Sequence, residues 1–133
     1  MKIFVSYRFT GEDPNELEQT IGKIAASLRS AGHEVYSSLE DEQWFREKKR
    51  TNKEIMEHAF QQLNTSNLLL AFIRSNDKSE GMLVEIGYAI AKGKRFALAL
   101  KNGVSTTSIA QMAEPFIEFD NLDDLCDKLK TAF

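Results

Sequence analysis

Apolar and polar residues alternate along this chain with two periodicities, one typical of strands and one typical of helices. Five short apolar runs, rich in β-branched and aromatic residues, indicate buried strands. They lie at residues 2–6, 33–37, 67–73, 95–100 and 116–119. Between them, apolar residues recur three and four positions apart, as on the buried side of an amphipathic helix. The pattern therefore predicts strand and helix in alternation, repeated five times.

End signals place the helices along the chain. Asp13 followed by Pro14 is typical of a helix start, and Gly32 is typical of a helix end. Thr51 with Glu54 three residues later predicts a capping box. The predicted helices span residues 13–31, 51–63, 81–91, 105–113 and 121–129.

Alternating strands and helices predict an α/β fold, a flavodoxin- or Rossmann-like three-layer sandwich around a five-stranded parallel sheet. We expect the strand order 2-1-3-4-5, with a ligand crevice at the carboxyl ends of strands 1 and 3. The loops Tyr7–Glu12 and Arg74–Glu80 should then face each other. The polar stretch Leu39–Arg50 is predicted to be the longest irregular segment. Residues 1–133 contain no repeat or linker, so we expect one domain.

The composition narrows the classes of function. A formal charge of −3 and a pI near 5.4 give no signal for nucleic-acid binding. No apolar run is long enough to cross a membrane, and a single cysteine, Cys126, fits a reducing compartment, so we expect a cytoplasmic protein. Because the chain has only two distant histidines and one cysteine, we expect neither a metal nor a cofactor.

One carboxylate, that of Glu85, stands alone in the apolar part of its predicted helix. Burying it would cost roughly several kcal/mol unless it were paired or hydrogen-bonded. It is therefore an acid on a solvent-facing stripe, a satisfied core acid, or a group that acts on a ligand. Ser79 and Gly81 at the helix start favour the last of these, because backbone N–H groups there attract anions. Ser6 and Arg8, at the end of strand 1, are expected to converge on the same crevice.

Three blocks of the sequence resemble the nucleoside 2-deoxyribosyltransferase superfamily, and within it the branch of 2'-deoxynucleoside 5'-phosphate N-hydrolases. They are IFVSYRFTGED, SEGMLVEIGYAIAKGKR and PFIEFDNLDDLCDKL, which together reach across nearly the whole chain. The second block is the specific one, since Ser79, Gly81 and Glu85 stand in the family's spacing.

This resemblance implies that Glu85 attacks the anomeric carbon of the sugar and holds it covalently while the base leaves. Ser79 stands where the transferase branch has an acid, and it implies a 5'-phosphate rather than a 5'-hydroxyl, with Gly81 beside it. Arg8 is implied as a second phosphate ligand. Ser108 lies roughly where a neighbouring subunit's serine completes the phosphate site.

The chain departs from the family at the helix before strand 3. An aspartate there usually orients the sugar and assists protonation of the base, and here the position is Ala59. Glu57 or His58 is a candidate substitute.

Three functions stay open. The first is cleavage of the N-glycosidic bond of a nucleoside or 2'-deoxynucleoside 5'-monophosphate, giving free base and sugar 5-phosphate. The second is a non-catalytic nucleotide-binding or assembly module, which Ala59 favours. The third is a TIR-like NAD glycohydrolase, because FVSYR also resembles the opening box of TIR domains and a Ser precedes Glu85 by six residues.

The partners are predicted to be a small nucleotide or nucleoside and a second copy of the chain, with neither nucleic acid nor membrane. The helices at Thr51–Leu63 and Gly81–Ala91 carry more apolar residues than one sheet face needs, which predicts a homodimer.

Overall fold

All five predicted strands form one parallel sheet in the order β2-β1-β3-β4-β5, which confirms the expected fold class. The computed structural model describes residues 1–77, 79–106 and 108–133. Lys78, in the predicted loop after strand 3, and Thr107, in the predicted fourth helix, lie outside the described residues. The elements are β1 Lys2–Tyr7, α1 Pro14–Ser30, β2 Glu34–Tyr36, a 3₁₀ turn Ser38–Asp41, α2 Glu42–Glu47, α3 Asn52–Asn64, β3 Leu68–Ile73, α4 Glu80–Ala91, β4 Arg95–Lys101, α5 Ser108–Met112, β5 Phe116–Phe119 and α6 Leu122–Leu129.

Helices cover both faces of the sheet and make three layers. On one face, α1 and α6 pack against alternate strand residues such as Val5 and Leu70. On the other face, α3 and α4 pack against the intervening residues, such as Leu69 and Leu98. The central strands are therefore buried on both sides, which is why they read as continuous apolar runs.

The predicted end signals are confirmed. Asp13 accepts hydrogen bonds from the backbone N–H groups of Asn15 and Glu16, with Pro14 as the first helical residue. The capping box between Thr51 and Glu54 is complete. Each of these caps satisfies helix N–H groups that would otherwise lack a partner.

The stretch Leu39–Arg50 is a correction to the sequence prediction, because it is mostly helical rather than irregular. It holds the 3₁₀ turn and α2, and Phe45 is its buried residue. A helix of six residues with one buried side chain has no readable periodicity. Tertiary contacts fix it instead: Asp41 accepts a 2.7 Å hydrogen bond from the Tyr36 hydroxyl and pairs with His58 Nε2 at 2.9 Å.

Helix α4 is also more exposed than its sequence suggested. Met82, Ile86 and Ala89 are buried against the sheet, whereas Leu83 and Val84 are exposed on the other side. The many apolar residues of this helix therefore do not make it buried on every side in the single chain. None of the helices in the described part of the chain combines the length and apolarity that crossing a bilayer requires.

Candidate active site

Two loops meet at the carboxyl ends of β1 and β3, as predicted. Arg74, just after β3, donates to Glu12 at 3.1 Å and to Glu16 at 2.7 Å. Arg8, just after β1, pairs with Asp77 of the opposite loop at 3.5 Å. These ion pairs join the loops across the crevice where ligands bind in open α/β sheets.

Glu85 points from α4 into a cavity of about 810 Å³. Its carboxylate accepts a 2.6 Å hydrogen bond at Oε1 from the hydroxyl of Ser6, near the end of β1. The cavity is lined by residues of β1, the loop after it, α2, α3 and α4. Glu85 is neither on an exposed stripe nor enclosed in the core, because it reaches an open cavity from a largely buried position.

Burial raises the pKa of Glu85 to about 7, and the hydrogen bond from Ser6 partly offsets that rise. A carboxyl group with this pKa is present in both its protonated and its ionised form near neutral pH. Such groups are typical of sites where a carboxylate acts as nucleophile, acid or base.

Ser6 lines the same cavity but is only 1% exposed, and its hydroxyl is committed to Glu85. The sequence predicted Ser6 as a substrate-binding residue. In the structure its contact orients the carboxylate and stabilises the ionised form.

Ser79 and Gly81 lie where the sequence predicted them, at the start of α4. The Ser79 hydroxyl accepts a hydrogen bond from the backbone N–H of Met82 at 3.2 Å, so Ser79 is the N-cap. A Cβ added at Gly81 would have ordinary contacts, 3.6 Å to Met56 Cε and 4.0 Å to Ser79 Oγ. Packing alone therefore does not require glycine here, and its backbone stays open to the cavity.

Arg8 is less available than the sequence suggested, because two carboxylates hold its Nη1. Glu12 lies 3.3 Å away and Asp77 lies 3.5 Å away. A Cβ at Gly11, whose φ is +83°, would lie 2.8 Å from Arg8 Nη2, so this glycine lets the arginine fold over its own loop. Asp77 is 74% exposed, and an anion approaching Arg8 competes with a weakly held partner.

Ser108, at the start of α5, lines a second cavity of about 580 Å³. Tyr7, Arg8, Ser79 and Met82 line both cavities, so the two adjoin at the N-terminus of α4. Ser108 therefore lines, within its own chain, the cavity that adjoins the N-terminus of α4.

Two residues that the sequence did not single out belong to the site. Tyr7 shares a 2.7 Å hydrogen bond with Ser38, and burial raises the pKa of its hydroxyl. Glu42, the first residue of α2, lines the cavity of Glu85. No sequence signal pointed to Glu42, because it falls in the stretch that was predicted to be irregular.

The candidate substitutes for the missing helix aspartate do not reach the site. Ala59 is 5% exposed and packs in the core beneath α4. His58 is held by Asp41, and Glu57 is exposed on the outer side of α3 beside Lys53. Neither is among the described residues that line the two cavities.

Among residues 1–77, 79–106 and 108–133, no group of three or more His, Cys, Asp or Glu side chains is placed to bind a metal ion. The groups in the described cavities that can act on a ligand include carboxylates, hydroxyls and the backbone N–H groups at the N-terminus of α4.

A doubly wound sheet with a largely buried glutamate at its switch-point crevice is typical of α/β proteins that bind small molecules. The sequence profile of the nucleoside 2-deoxyribosyltransferase family matches residues 7–122. The chain belongs to the nucleoside 2-deoxyribosyltransferase family.

Solved structures share the fold at low sequence identity. The CMP N-glycosidase BcmB of Clostridium botulinum is 17% identical, with a TM-score of 0.74 and full coverage of both chains. A 2-deoxyribosyltransferase from Bacillus psychrosaccharolyticus is 18% identical, with a TM-score of 0.69 over 96% of this chain and 91% of the other. A conserved protein from Enterococcus faecalis is 14% identical, with a TM-score of 0.62 over 100% and 99%.

No curated protein matches the chain by sequence. These comparisons indicate the nucleoside 2-deoxyribosyltransferase family and give no support to the alternative of a TIR-like protein.

The raised pKa of Glu85 predicts how replacing it with glutamine changes stability with pH. The folded-state pKa of about 7 lies above the ordinary 4.5, so folding disfavours the ionised form. The contribution of Glu85 is fully present below pH 4.5 and is lost as the pH rises through 7. We expect Glu85→Gln to gain about 3 kcal/mol relative to wild type between pH 4 and pH 8, measured by urea unfolding.

Ser6→Ala is the matched variant, because it removes the donor but keeps the carboxyl group. It should raise the pKa of Glu85 further and steepen the loss of stability above pH 7. A stability difference between Glu85→Gln and wild type that stays constant from pH 4 to pH 8 would contradict the assignment.

Proposed function

We propose that the protein cleaves the N-glycosidic bond of a nucleoside or 2'-deoxynucleoside 5'-monophosphate, giving free base and sugar 5-phosphate. The observation that carries this proposal is Glu85, a carboxylate with a pKa of about 7 that Ser6 aims into a nucleotide-sized cavity. Membership of a family of deoxyribosyltransferases supports the reaction class. The C. botulinum neighbour is described as a CMP N-glycosidase, which agrees with a nucleotide substrate.

In the first step, the ionised Glu85 attacks the anomeric carbon as the bond from that carbon to the base breaks. The bonding electrons leave with the base, and the sugar stays attached to the carboxylate as an ester. In the second step, water attacks the same carbon, and its oxygen replaces the carboxylate. Ser6 donates to Oε1 of Glu85 and stabilises the charge before attack and after release.

The phosphate binds at the N-terminus of α4. Ser79 caps this helix, and the unpaired N–H groups of its first turn attract an anion. Glu85 follows Ser79 by six residues, a rise of ~9 Å along the helix. A phosphate at Ser79 therefore leaves the sugar and base extending into the cavity that Glu85 lines.

A second candidate function is a non-catalytic nucleotide-binding or assembly module. The buried Ala59, where the family has an aspartate, favours it specifically. This function requires binding without release of base, so turnover separates the two candidates.

The proposed role of Glu85 predicts the outcome of its conservative replacement. Glu85→Gln keeps the size and hydrogen-bonding capacity of the side chain but removes the nucleophile. We expect the wild type to release free base from at least one member of a panel of ribo- and deoxyribonucleoside monophosphates, nucleosides and NAD, measured by chromatography. The variant should lose at least about 1,000-fold in rate and still bind the nucleotide, because its phosphate contacts are made elsewhere.

Base release at an unchanged rate in Glu85→Gln would move the chemistry away from this residue. Nucleotide binding by a wild type that never releases base would favour the non-catalytic module.

The proposed phosphate site predicts that nucleoside monophosphates bind more tightly than the matching nucleosides. A few charge-assisted hydrogen bonds correspond to a gap of about 2–4 kcal/mol in binding free energy. Ser79→Asp should reduce this gap, because a carboxylate repels phosphate, whereas Ser79→Thr keeps the hydroxyl. Isothermal calorimetry measures both, and equal affinity of wild type for nucleotide and nucleoside would refute the phosphate site.

We further propose that two chains associate through the outer side of α4. Leu83 and Val84 are exposed there in the single chain. We expect light scattering at micromolar concentration to give about twice the chain mass of 15.1 kDa. Leu83→Lys should shift the protein to monomer, whereas Met112→Lys, an exposed apolar site on α5, serves as control. A monomeric wild type would contradict the proposal.

A further inference from the structure

The cavity that holds Glu85 contains a second carboxylate, Glu42 of α2. The Glu42 side chain is 28% exposed, and its ion-pair partner is Arg46 on the next turn, at 3.2 Å. Arg46 is itself 66% exposed, so this pair is weak and leaves the carboxylate free to meet a ligand. Glu42 is therefore a half-buried acid at the wall of the reaction cavity.

Tyr7 lines the same cavity as Glu42 and Glu85. Its hydroxyl bonds Ser38, in the 3₁₀ turn that leads directly into α2. Burial is the main cause that raises the pKa of this hydroxyl, and the nearby charges of Glu42 and Glu85 add to it. The two carboxylates thus approach the same tyrosine from different elements, one from α2 and one from α4.

The surroundings of Glu42 suit a nucleobase. Phe45, Ile55 and Met56 supply aromatic and apolar surface in the same cavity, and Asn52 supplies an amide. A flat, partly polar ring needs this combination of apolar contact and a few hydrogen-bonding groups. The phosphate side, at the N-terminus of α4, lies toward the second cavity.

Few other acidic residues are placed to exchange a proton with a nucleobase in this cavity. The acidic residues among the described lining residues of this cavity are Glu42, Glu80 and Glu85. Glu80 is exposed at the first turn of α4, beside the phosphate site that we propose. Helix α3 offers only the buried Ala59 at the position where the family carries its aspartate.

We propose that Glu42 is the second catalytic carboxylate of this site, supplied by α2, which exchanges a proton with the departing base and then with the attacking water. The proposal rests on the proposed function. It explains how the site keeps an acid although Ala59 occupies the family's usual position.

Protons and electrons balance across the two steps. As Glu85 bonds to the anomeric carbon and the bond to the base breaks, the electron pair goes to a nitrogen of the base, and a proton passes from the Glu42 carboxyl group to the base. Glu42 is then a carboxylate. When water attacks the anomeric carbon, Glu42 takes its proton, and the electrons of the sugar–Glu85 bond return to Glu85. One water is consumed, and both carboxyl groups regain their starting states.

The test compares two leaving groups that differ in their need for a proton. One substrate is the nucleoside monophosphate that the wild type cleaves fastest, and the other is 4-nitrophenyl β-ribofuranoside 5-phosphate. Nitrophenolate departs as a stable anion, whereas a base needs protonation. We expect Glu42→Gln to lose at least about 100-fold in kcat on the nucleotide and less than about tenfold on the nitrophenyl substrate.

Two controls isolate the effect. Glu47→Gln changes a carboxylate on the same helix that does not belong to the described cavity lining, and it should leave both rates unchanged. Affinity of Glu42→Gln for ribose 5-phosphate, measured by calorimetry, should equal that of wild type if fold and phosphate site are intact.

The outcomes separate this inference from the proposed function. Equal losses on both substrates, or no loss on either, with an active wild type would overturn the role of Glu42 alone. A wild type that cleaves neither substrate would overturn the proposed function and the role of Glu42 with it.

Discussion

The hydrogen bond from Ser6 to Glu85 is the contact on which the site depends. It joins the end of β1 to the second turn of α4 through two residues that are 79 positions apart in sequence. Without a donor, a carboxylate in this position would be held at a cost with nothing to favour its charged form. With the donor, the carboxyl group is oriented and titrates near neutral pH. Strand order makes the contact possible, because β1 and β3 are adjacent and α4 follows β3 directly.

The arginines around the crevice are held in ion pairs with carboxylates, so they do not form an open basic patch among the described residues. Arg74 is held by Glu12 and Glu16, and these contacts keep the pKa of Arg74 above its ordinary value. Arg8 is shared between Glu12 and Asp77. The phosphate that we propose to bind here would meet fixed backbone dipoles at α4 and an arginine whose guanidinium is also paired with Asp77. Such a site would favour an anion through the oriented N–H groups of the helix more than through a net positive charge.

The segment between β2 and α3 shows how packing can build a site from residues with little pattern. Phe45 is buried, Asp41 is fixed by Tyr36 and His58, and α2 follows from these contacts. The same contacts bring Glu42 to the wall of the cavity. Helix α2 thus places an acid at the wall of the cavity, whereas Ala59 of α3 is buried in the core.

Much of the fold could be read from the sequence, because its signals are local. Strands buried on both faces are continuous apolar runs, and Asp13, Thr51 and Asn121 each cap a helix through neighbours within three residues. Strand order, the crevice and the position of Glu85 in the second turn of α4 followed from these signals. Only the tertiary structure decided that Ser6 bonds Glu85, that carboxylates engage Arg8, and that α2 is a helix carrying Glu42. These features depend on side chains brought together from distant parts of the chain, and no periodicity in the sequence encodes such contacts.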